Sequence, residues 1–251
     1  MSLLPDYSTQ AQTYDRTRTA SPALASRLIA ALADARGPTL ADIGGGTGNY
    51  AAALREHGWE PLVIDRSPAM LRNAAGKGLD TLAADAEQLP LADATFDAAM
   101  LVSMLHHVPC PARALGEAVR ILRPRGRLAV MAYTAEDIAD LWFLDYFPSS
   151  RWWMSETHVP RAELLAVLPG AEASEFVLRD LTDASLAVLA SYPETVLDEG
   201  WRSQTSYFER LQRDDPDGLD AGLRRLAHDI AARRAPTRPG RATVLSWTKP
   251  A

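Results

Sequence analysis

Along the first half of the chain, short apolar runs alternate with stretches whose apolar positions recur at helical spacing. The runs are Thr39–Ile43, Pro61–Ile64, Leu79–Ala83, Phe96–Val102 and Arg127–Ala132, each short enough for a strand and bounded by polar or turn residues. Pro22 opens a helical pattern that places Leu24, Leu28, Ile29 and Leu32 on one face and closes at Gly37-Pro38. Further helices are predicted over Asn49–His57, from Pro68 with Ser67 as N-cap, and over Pro111–Leu122, followed by a turn at Arg123-Pro124-Arg125-Gly126. Phe96–Val102 is apolar at nearly every position, the pattern of a strand covered on both faces. The alternation specifies an α/β protein built on a parallel, doubly wound sheet.

Beyond Ala132 the rhythm breaks. Tyr133, Trp142, Phe143, Tyr146, Phe147, Trp152 and Trp153 crowd one stretch. A strand is predicted at Phe176–Leu181, helices within 183–234, and a closing strand at Ala242–Trp247. Asp214-Asp215-Pro216-Asp217-Gly218 reads as a loop that separates the last helices.

The turn after the first strand carries the chemistry. It reads Asp42-Ile43-Gly44-Gly45-Gly46-Thr47-Gly48-Asn49. Bare backbone at Gly44, Gly46 and Gly48 admits a small polar ligand and the positive φ that the turn needs. Asp65 ends the second strand about 20 residues on, where one carboxylate can accept from both hydroxyls of a ribose. The ligand implied is a nucleoside-containing cofactor. A dinucleotide fingerprint spaces its glycines differently and rests a pyrophosphate on the helix N-terminus. Here the acid at Asp42 repels a pyrophosphate but attracts the α-ammonium and sulfonium of an amino-acid-bearing nucleoside, which disfavours an NAD-dependent oxidoreductase.

With these residues the chain resembles the class I S-adenosylmethionine-dependent methyltransferases, in particular the ubiquinone/menaquinone-biosynthesis type (methyltransferase type 11-like) and its small-molecule branch. Asp65-Arg66-Ser67-Pro68-Ala69-Met70-Leu71 resembles the family's Asp-x-Ser-x-x-Met-Leu motif, which implies that Asp65 grips the ribose. Met70 packs on the adenine or simply on the core. Ala84-Asp85-Ala86-Glu87-Gln88-Leu89-Pro90, with Phe96-Asp97, matches a second motif. Asp85 can accept from the adenine amine while the Ala86 N–H donates to a ring nitrogen; the alternative for Asp85 is helix capping. Asp97 reads as structural. Leu122-Arg123-Pro124-Arg125-Gly126 resembles the family's Leu-x-Pro-Gly-Gly turn, with Arg125 in place of the first glycine. Tyr7, Tyr14-Asp15 and Arg18 resemble a Tyr-Asp-x-x-Arg leader; it implies a helix over the cofactor with Tyr14 or Arg18 near the methionine carboxylate, against the alternative of a mobile amphipathic terminus. Arg66, Gly45 and Ser103 complete the cofactor-binding set.

The resemblance covers about Tyr7 to Ala132, and the closing strands by topology. It implies a Rossmann-like, seven-stranded, mostly parallel sheet with helices on both faces, the last strand antiparallel, plus a helical cap. Residues 1–133 would form the cofactor-binding core with its N-terminal helix, 134–172 and 183–238 the substrate cap, and 173–182 and 241–249 the returning strands.

Composition narrows the picture. The chain has 251 residues with 26 basic against 32 acidic side chains, net −6, so extended nucleic-acid binding is disfavoured. Lys77 and Lys249 are the only lysines; the other basic residues are arginine. Cys110 is the single cysteine, which excludes an intrachain disulfide and a thiolate metal cluster, and no metal is expected. Met1-Ser-Leu-Leu-Pro-Asp6 does not read as a secretory signal, and no apolar run approaches the roughly 20 residues of a membrane span. A cytoplasmic monomer or homodimer is expected.

Methyl transfer from a sulfonium is an in-line displacement that needs an aligned acceptor and a dry site. Where the acceptor carries an acidic proton, a base titrating near neutrality assists. His106 and His107, just beyond the fourth strand, are the candidates, with His107 ahead and His158 in the cap behind both; the alternative is that the pair holds the loop and lines the cofactor. Tyr146, Phe147, Arg151, Trp152, Trp153 and His158 are candidates for the acceptor pocket, with Trp201, Tyr207 and Phe208 as further wall. Equally, these aromatics can be the cap's own core. The Arg-rich stretch from Arg233 to Arg241 could attract an anion or form a solvated loop. The expected function is methyl transfer to O, N or C of a small biosynthetic molecule. The alternatives are methylation of a tRNA base and a cofactor-binding homologue that no longer transfers methyl.

Overall fold

The computed structural model describes residue 15 and residues 18–180, 185–236 and 238–251. Seven strands form one sheet: β1 (Thr39–Ile43), β2 (Glu60–Asp65), β3 (Asp80–Ala83), β4 (Phe96–Val102), β5 (Leu122–Ala132), β6 (Glu172–Val177) and β7 (Arg241–Thr248). Their spatial order is β3-β2-β1-β4-β5-β7-β6, and every pairing is parallel except those of β7 with β5 and β6. The order reverses at β1, where the chain swings from one half of the sheet to the other, and that reversal opens a crevice at the strands' carboxyl ends.

Both faces of the sheet are buried, and the alternation of side chains divides them. Leu40, Val63, Ala98, Met100, Ala129 and Val244 face one core, which they share with Leu24 and Leu28 of α1 (Pro22–Leu32). Ala41, Ile64, Ala99, Leu101, Val130 and Leu245 face the other, packed by α4 (Pro111–Ile121). Two shorter helices lie between these along the chain, α2 (Asn49–Arg55) and α3 (Pro68–Gly76). Ser67 caps α3, its hydroxyl accepting from the Met70 N–H, with Pro68 in the first turn.

Three boundaries differ from the sequence reading. Strand β5 begins at Leu122 rather than Arg127, because residues 123–126 are an irregularity within the strand. Arg125 there takes φ +64°, the conformation for which glycine is favoured. Strand β6 lies at 172–177 rather than 176–181; it is an edge strand with four exposed positions, and its apolar residues sit at its end. The Asp214–Gly218 run is not a loop. One helix ends at Asp214 and the next starts at Pro216, with Asp215 as a one-residue N-cap whose carboxylate accepts from the Gly218 N–H.

The remaining helices are α5 (Ala135–Ala139), α6 (Phe143–Tyr146), α7 (Arg151–Thr157), α8 (Arg161–Val167), α9 (Leu186–Ser191), α10 (Glu199–Arg202), α11 (Ser206–Asp214) and α12 (Pro216–Ala231). Phe143, Phe147, Tyr207 and Phe208 join the core on the α1 face of the sheet. Asp137 of α5 is buried and accepts from the Thr134 N–H and from the hydroxyls of Thr134 and Thr243, pinning α5 to β7. Among the described residues no helix is long and apolar enough to cross a membrane.

Candidate functional site

The glycine turn leaves β1 at the point where the sheet order reverses. Gly44 N–H and Gly45 N–H both donate to the Ile64 carbonyl, which holds the turn against β2. A cavity of about 220 Å³ opens above it. Each glycine serves a different purpose. A Cβ on Gly45 would lie 2.4 Å from the Asp42 carboxylate. One on Gly44 would strike Met104 at 2.8 Å. All three line the cavity, and only at Gly46, with φ +56°, would a Cβ meet nothing within 4 Å. Gly48 corrects the sequence reading: it does not line the cavity, and its missing Cβ makes room for Leu79 at 2.5 Å in the packing of α2 on the sheet.

Asp42 and Asp65 face this common hollow. Asp42 is 1% exposed and its Oδ2 has no hydrogen-bond partner among the described residues. Burial, reinforced by the nearby Asp65, raises its carboxyl to about 7. Burial also raises Asp65, but that carboxylate is partly compensated by the N–H groups of Ser67 at 2.8 Å and Gly46 at 3.0 Å. Arg66, Met70, Asp85, Ala86 and Ser103 line the same cavity, as does Arg18 from the N-terminal side. Asp85 lies on the wall, and its Oδ1 accepts from the Glu87 N–H in a local turn; it caps no helix. Ser103 holds φ +54° at the end of β4, a strained conformation at the cavity edge. Tyr14 lies outside the described residues. Asp97 is at the opposite end of the strands, bound to Thr39 and Arg123.

The apolar part of the wall was not anticipated. Leu24, Tyr50, Met131 and Tyr133 also line the cavity. Asn49 and Thr47, inside the glycine motif, line its rim.

The histidines depart from expectation. His107 lines the cavity, but burial and the neighbouring His158, Arg66 and Arg18 push it down to about 3. It is an uncharged hydrogen-bonding ring at neutral pH, not a base titrating there. His106 is not on the wall; it packs behind, against His107 at 3.8 Å between ring centroids and stacked on His158 at 5.2 Å. Burial, then the charges of His107 and His158, hold His106 well below its usual range. His158 is itself buried, and its Nδ1 lies 2.9 Å from the Met154 carbonyl.

Of the aromatic stretch only Tyr133 lines this cavity; the residues offered as an acceptor pocket do not. Phe147 is fully buried in a cluster with Phe143, Tyr207 and Phe208, and Trp153 is buried against Tyr207. Trp152 is 60% exposed, beneath the Arg210 guanidinium. Arg151 turns outward to the Leu144 carbonyl and Asp145. Tyr146 faces a separate surface groove, its hydroxyl donating to Asp229 at 2.8 Å. These side chains are the core and surface of the helical region, because aromatic residues that close a small helical layer are consumed by its own packing. Among the described residues no group of three or more His, Cys, Asp or Glu is placed to hold a metal ion.

Comparison with known proteins agrees with the geometry. Residues 41–130 match the family described as methyltransferase domain. The ubiquinone/menaquinone biosynthesis C-methyltransferase of Methylobacterium nodulans is 39% identical over 128 residues, which cover 46% of this chain and 51% of that protein. The chain thus spans about half the length of that relative. A putative methyltransferase from an antibiotic biosynthesis pathway of Anabaena variabilis superposes over 92% of this chain and 99% of its own, with 24% identity and TM-score 0.79. Phosphoethanolamine N-methyltransferase 2 of Haemonchus contortus, solved with S-adenosylhomocysteine, superposes over 97% of this chain and 58% of its own, with 14% identity and TM-score 0.60. At these identities the two structures establish the fold.

Proposed function

We propose, from the premise that residues 41–130 form a methyltransferase domain, that the chain binds S-adenosylmethionine and transfers its methyl group to a small molecule. The observation that carries the reading is the pairing of Asp42 and Asp65 on one hollow, with the open position at Gly46 on the same wall. The residues suit the cofactor: an unpartnered buried carboxylate at Asp42 calls for a cation, and the gap at Gly46 is a cradle that a Cβ would fill. Asp65 would take the ribose hydroxyls, Asp85 and the Ala86 N–H the adenine edge, and Met70 its face. Arg18 would meet the methionine carboxylate.

When bound, the cofactor supplies an electrophilic methyl whose bond to sulfur breaks as the bond to the acceptor forms. The chain's part is alignment and exclusion of water. Leu24, Met131 and Tyr133 would seat an apolar acceptor body, and the neutral His107 ring would hydrogen-bond its hydroxyl or amine. The helical segments within 134–172 and 183–238 would close over that acceptor; Arg18 already reaches them, donating to the Gln204 carbonyl at 3.1 Å.

Titration calorimetry with S-adenosylmethionine and S-adenosylhomocysteine tests the reading. Binding of both, with NAD inert, is expected, and Asp65→Ala should weaken them at least about 100-fold, since it removes charge-assisted hydrogen bonds from a desolvated site. Tight NAD binding, or an Asp65→Ala variant that loses stability but keeps its affinity, overturns it. Incubation with methyl-labelled cofactor, metabolite extracts and bulk tRNA then identifies which fraction gains label.

A further inference from the structure

Only two lysines occur in this arginine-rich chain, and one of them sits beside the cofactor cavity without lining it. Lys77 follows the last turn of α3, where Arg55 donates to the carbonyls of Lys77 and Gly78 and fixes the backbone. Its Nζ donates to the Thr47 carbonyl at 2.8 Å and to the Asn49 Oδ1 at 2.6 Å, and pairs with Asp15 Oδ2 at 2.8 Å. Three acceptors around one ammonium suit lysine, whose three donors rotate freely; the planar fork of arginine does not fit such an arrangement.

The consequence runs through Asn49. Because Lys77 occupies Oδ1, the Asn49 amide must turn its Nδ2 toward the N-terminal segment, where it donates to the Arg18 carbonyl and to Asp15 Oδ1. Thr47 adds a hydroxyl donated to the same Asp15 oxygen at 2.6 Å. Asp15 and the Arg18 backbone are therefore clamped onto the glycine turn, and Arg18 and Thr19 are thereby held on the cavity wall.

We infer that Lys77 is a positioning residue for cofactor binding: through Asn49 it latches Asp15 and the Arg18 backbone onto the glycine turn, so that Arg18 and Thr19 are held against the methionine end of the bound cofactor. The inference rests on the function proposed above. A segment held closed raises the competent fraction and so the apparent affinity, and slows release, without touching the ligand. An isolated Lys77–Asp15 pair, its side chains 26% and 35% exposed, would contribute little. The latch derives from the Thr47 carbonyl and the oriented Asn49 amide acting together with that pair.

The test uses Lys77→Met and Asp15→Asn, singly and together, in the full-length chain. Two readouts are followed: affinity for S-adenosylhomocysteine, and the rate of trypsin cleavage after Arg18 without ligand. Lys77→Met should weaken binding about 5–20-fold and speed cleavage by a similar factor, with the thermal midpoint nearly unchanged. The double variant should be no worse than the poorer single one, since both residues act through one latch. Lys77→Arg should restore only part of the effect. Unchanged affinity and cleavage in Lys77→Met overturn the inference, as does lowered stability with unchanged affinity. If cleavage accelerates but the parent protein binds no S-adenosylhomocysteine, the cofactor reading fails instead, and the latch's role in binding falls with it.

Discussion

Asp42 is a carboxylate that the fold keeps from water, and its proton is the most informative one in the molecule. Its native carboxyl titrates at about 7, against 3.8 when unperturbed. The native state therefore holds the proton more tightly than the unfolded chain. Stability from this group is fully present below pH 3.8 and is lost as pH rises through 7. The amount is on the order of 4 kcal/mol for a shift of this size. His106, His107 and His158 act with the opposite sign, since burial lowers all three; their contribution is lost as pH falls below about 6.5. The whole-protein pH profile mixes the two, so the difference between the parent and Asp42→Asn isolates Asp42. In urea denaturation the Asn variant should be about 2–4 kcal/mol more stable at pH 8, with the gap closing toward pH 4. Parallel profiles would mean that Asp42 is ionised in the native state throughout.

At the scale of elements, the turn between β1 and α2 separates two uses of glycine that look alike in sequence. Gly48 at φ +72° lies against Leu79, Val63 and Ala74, so Gly48→Ala meets both backbone strain and overpacking. Its expected cost is about 2–4 kcal/mol in denaturation, with affinity for S-adenosylhomocysteine retained in the folded fraction. Gly46→Ala faces open space and should cost only about 1 kcal/mol of stability, yet weaken the ligand at least about 30-fold. The reverse pattern would place the ligand elsewhere. The strands of this half were legible because burial on both faces writes an apolar run: Thr39–Ile43 and Phe96–Val102 were read with the ends that the structure gives them. Edge strand β6 was misplaced because exposure leaves only Phe176, Val177 and Leu178 as apolar markers at its end. Asp215-Pro216 was read as a loop because a one-residue N-cap and a loop use the same residues. The acids at Asp42, Asp65 and Asp85 stood out because each lies at or just beyond the carboxyl end of a strand. The apolar wall of Leu24, Tyr50, Met131 and Tyr133 was not, since in sequence a side chain facing a cavity is indistinguishable from one facing the core.

For the whole molecule, the same ambiguity explains why the aromatics of the helical region were offered as an acceptor pocket. Phe147 is their centre: it lies edge-on to Phe208 at 5.5 Å and to Tyr207 at 6.4 Å, and a Cβ on Gly222 of α12 would come within 2.4 Å of its ring. That cluster is continuous with the core on the α1 face of the sheet, through residues such as Leu28, Met100 and Val244. The helical region and the sheet therefore share one apolar interior and should unfold together. Phe147→Ala is expected to lower stability by about 3–5 kcal/mol in a single transition. Because Phe147 and its ring partners are absent from the cavity wall, affinity for S-adenosylhomocysteine at 20 °C (roughly the temperature of greatest stability) should stay within about twofold. Circular dichroism during denaturation, paired with calorimetry on the folded variant, checks both parts. Two separated transitions would show that the helical region is an independent body. A tenfold loss of affinity with the fold intact would show that the aromatic cluster shapes the cofactor cavity after all.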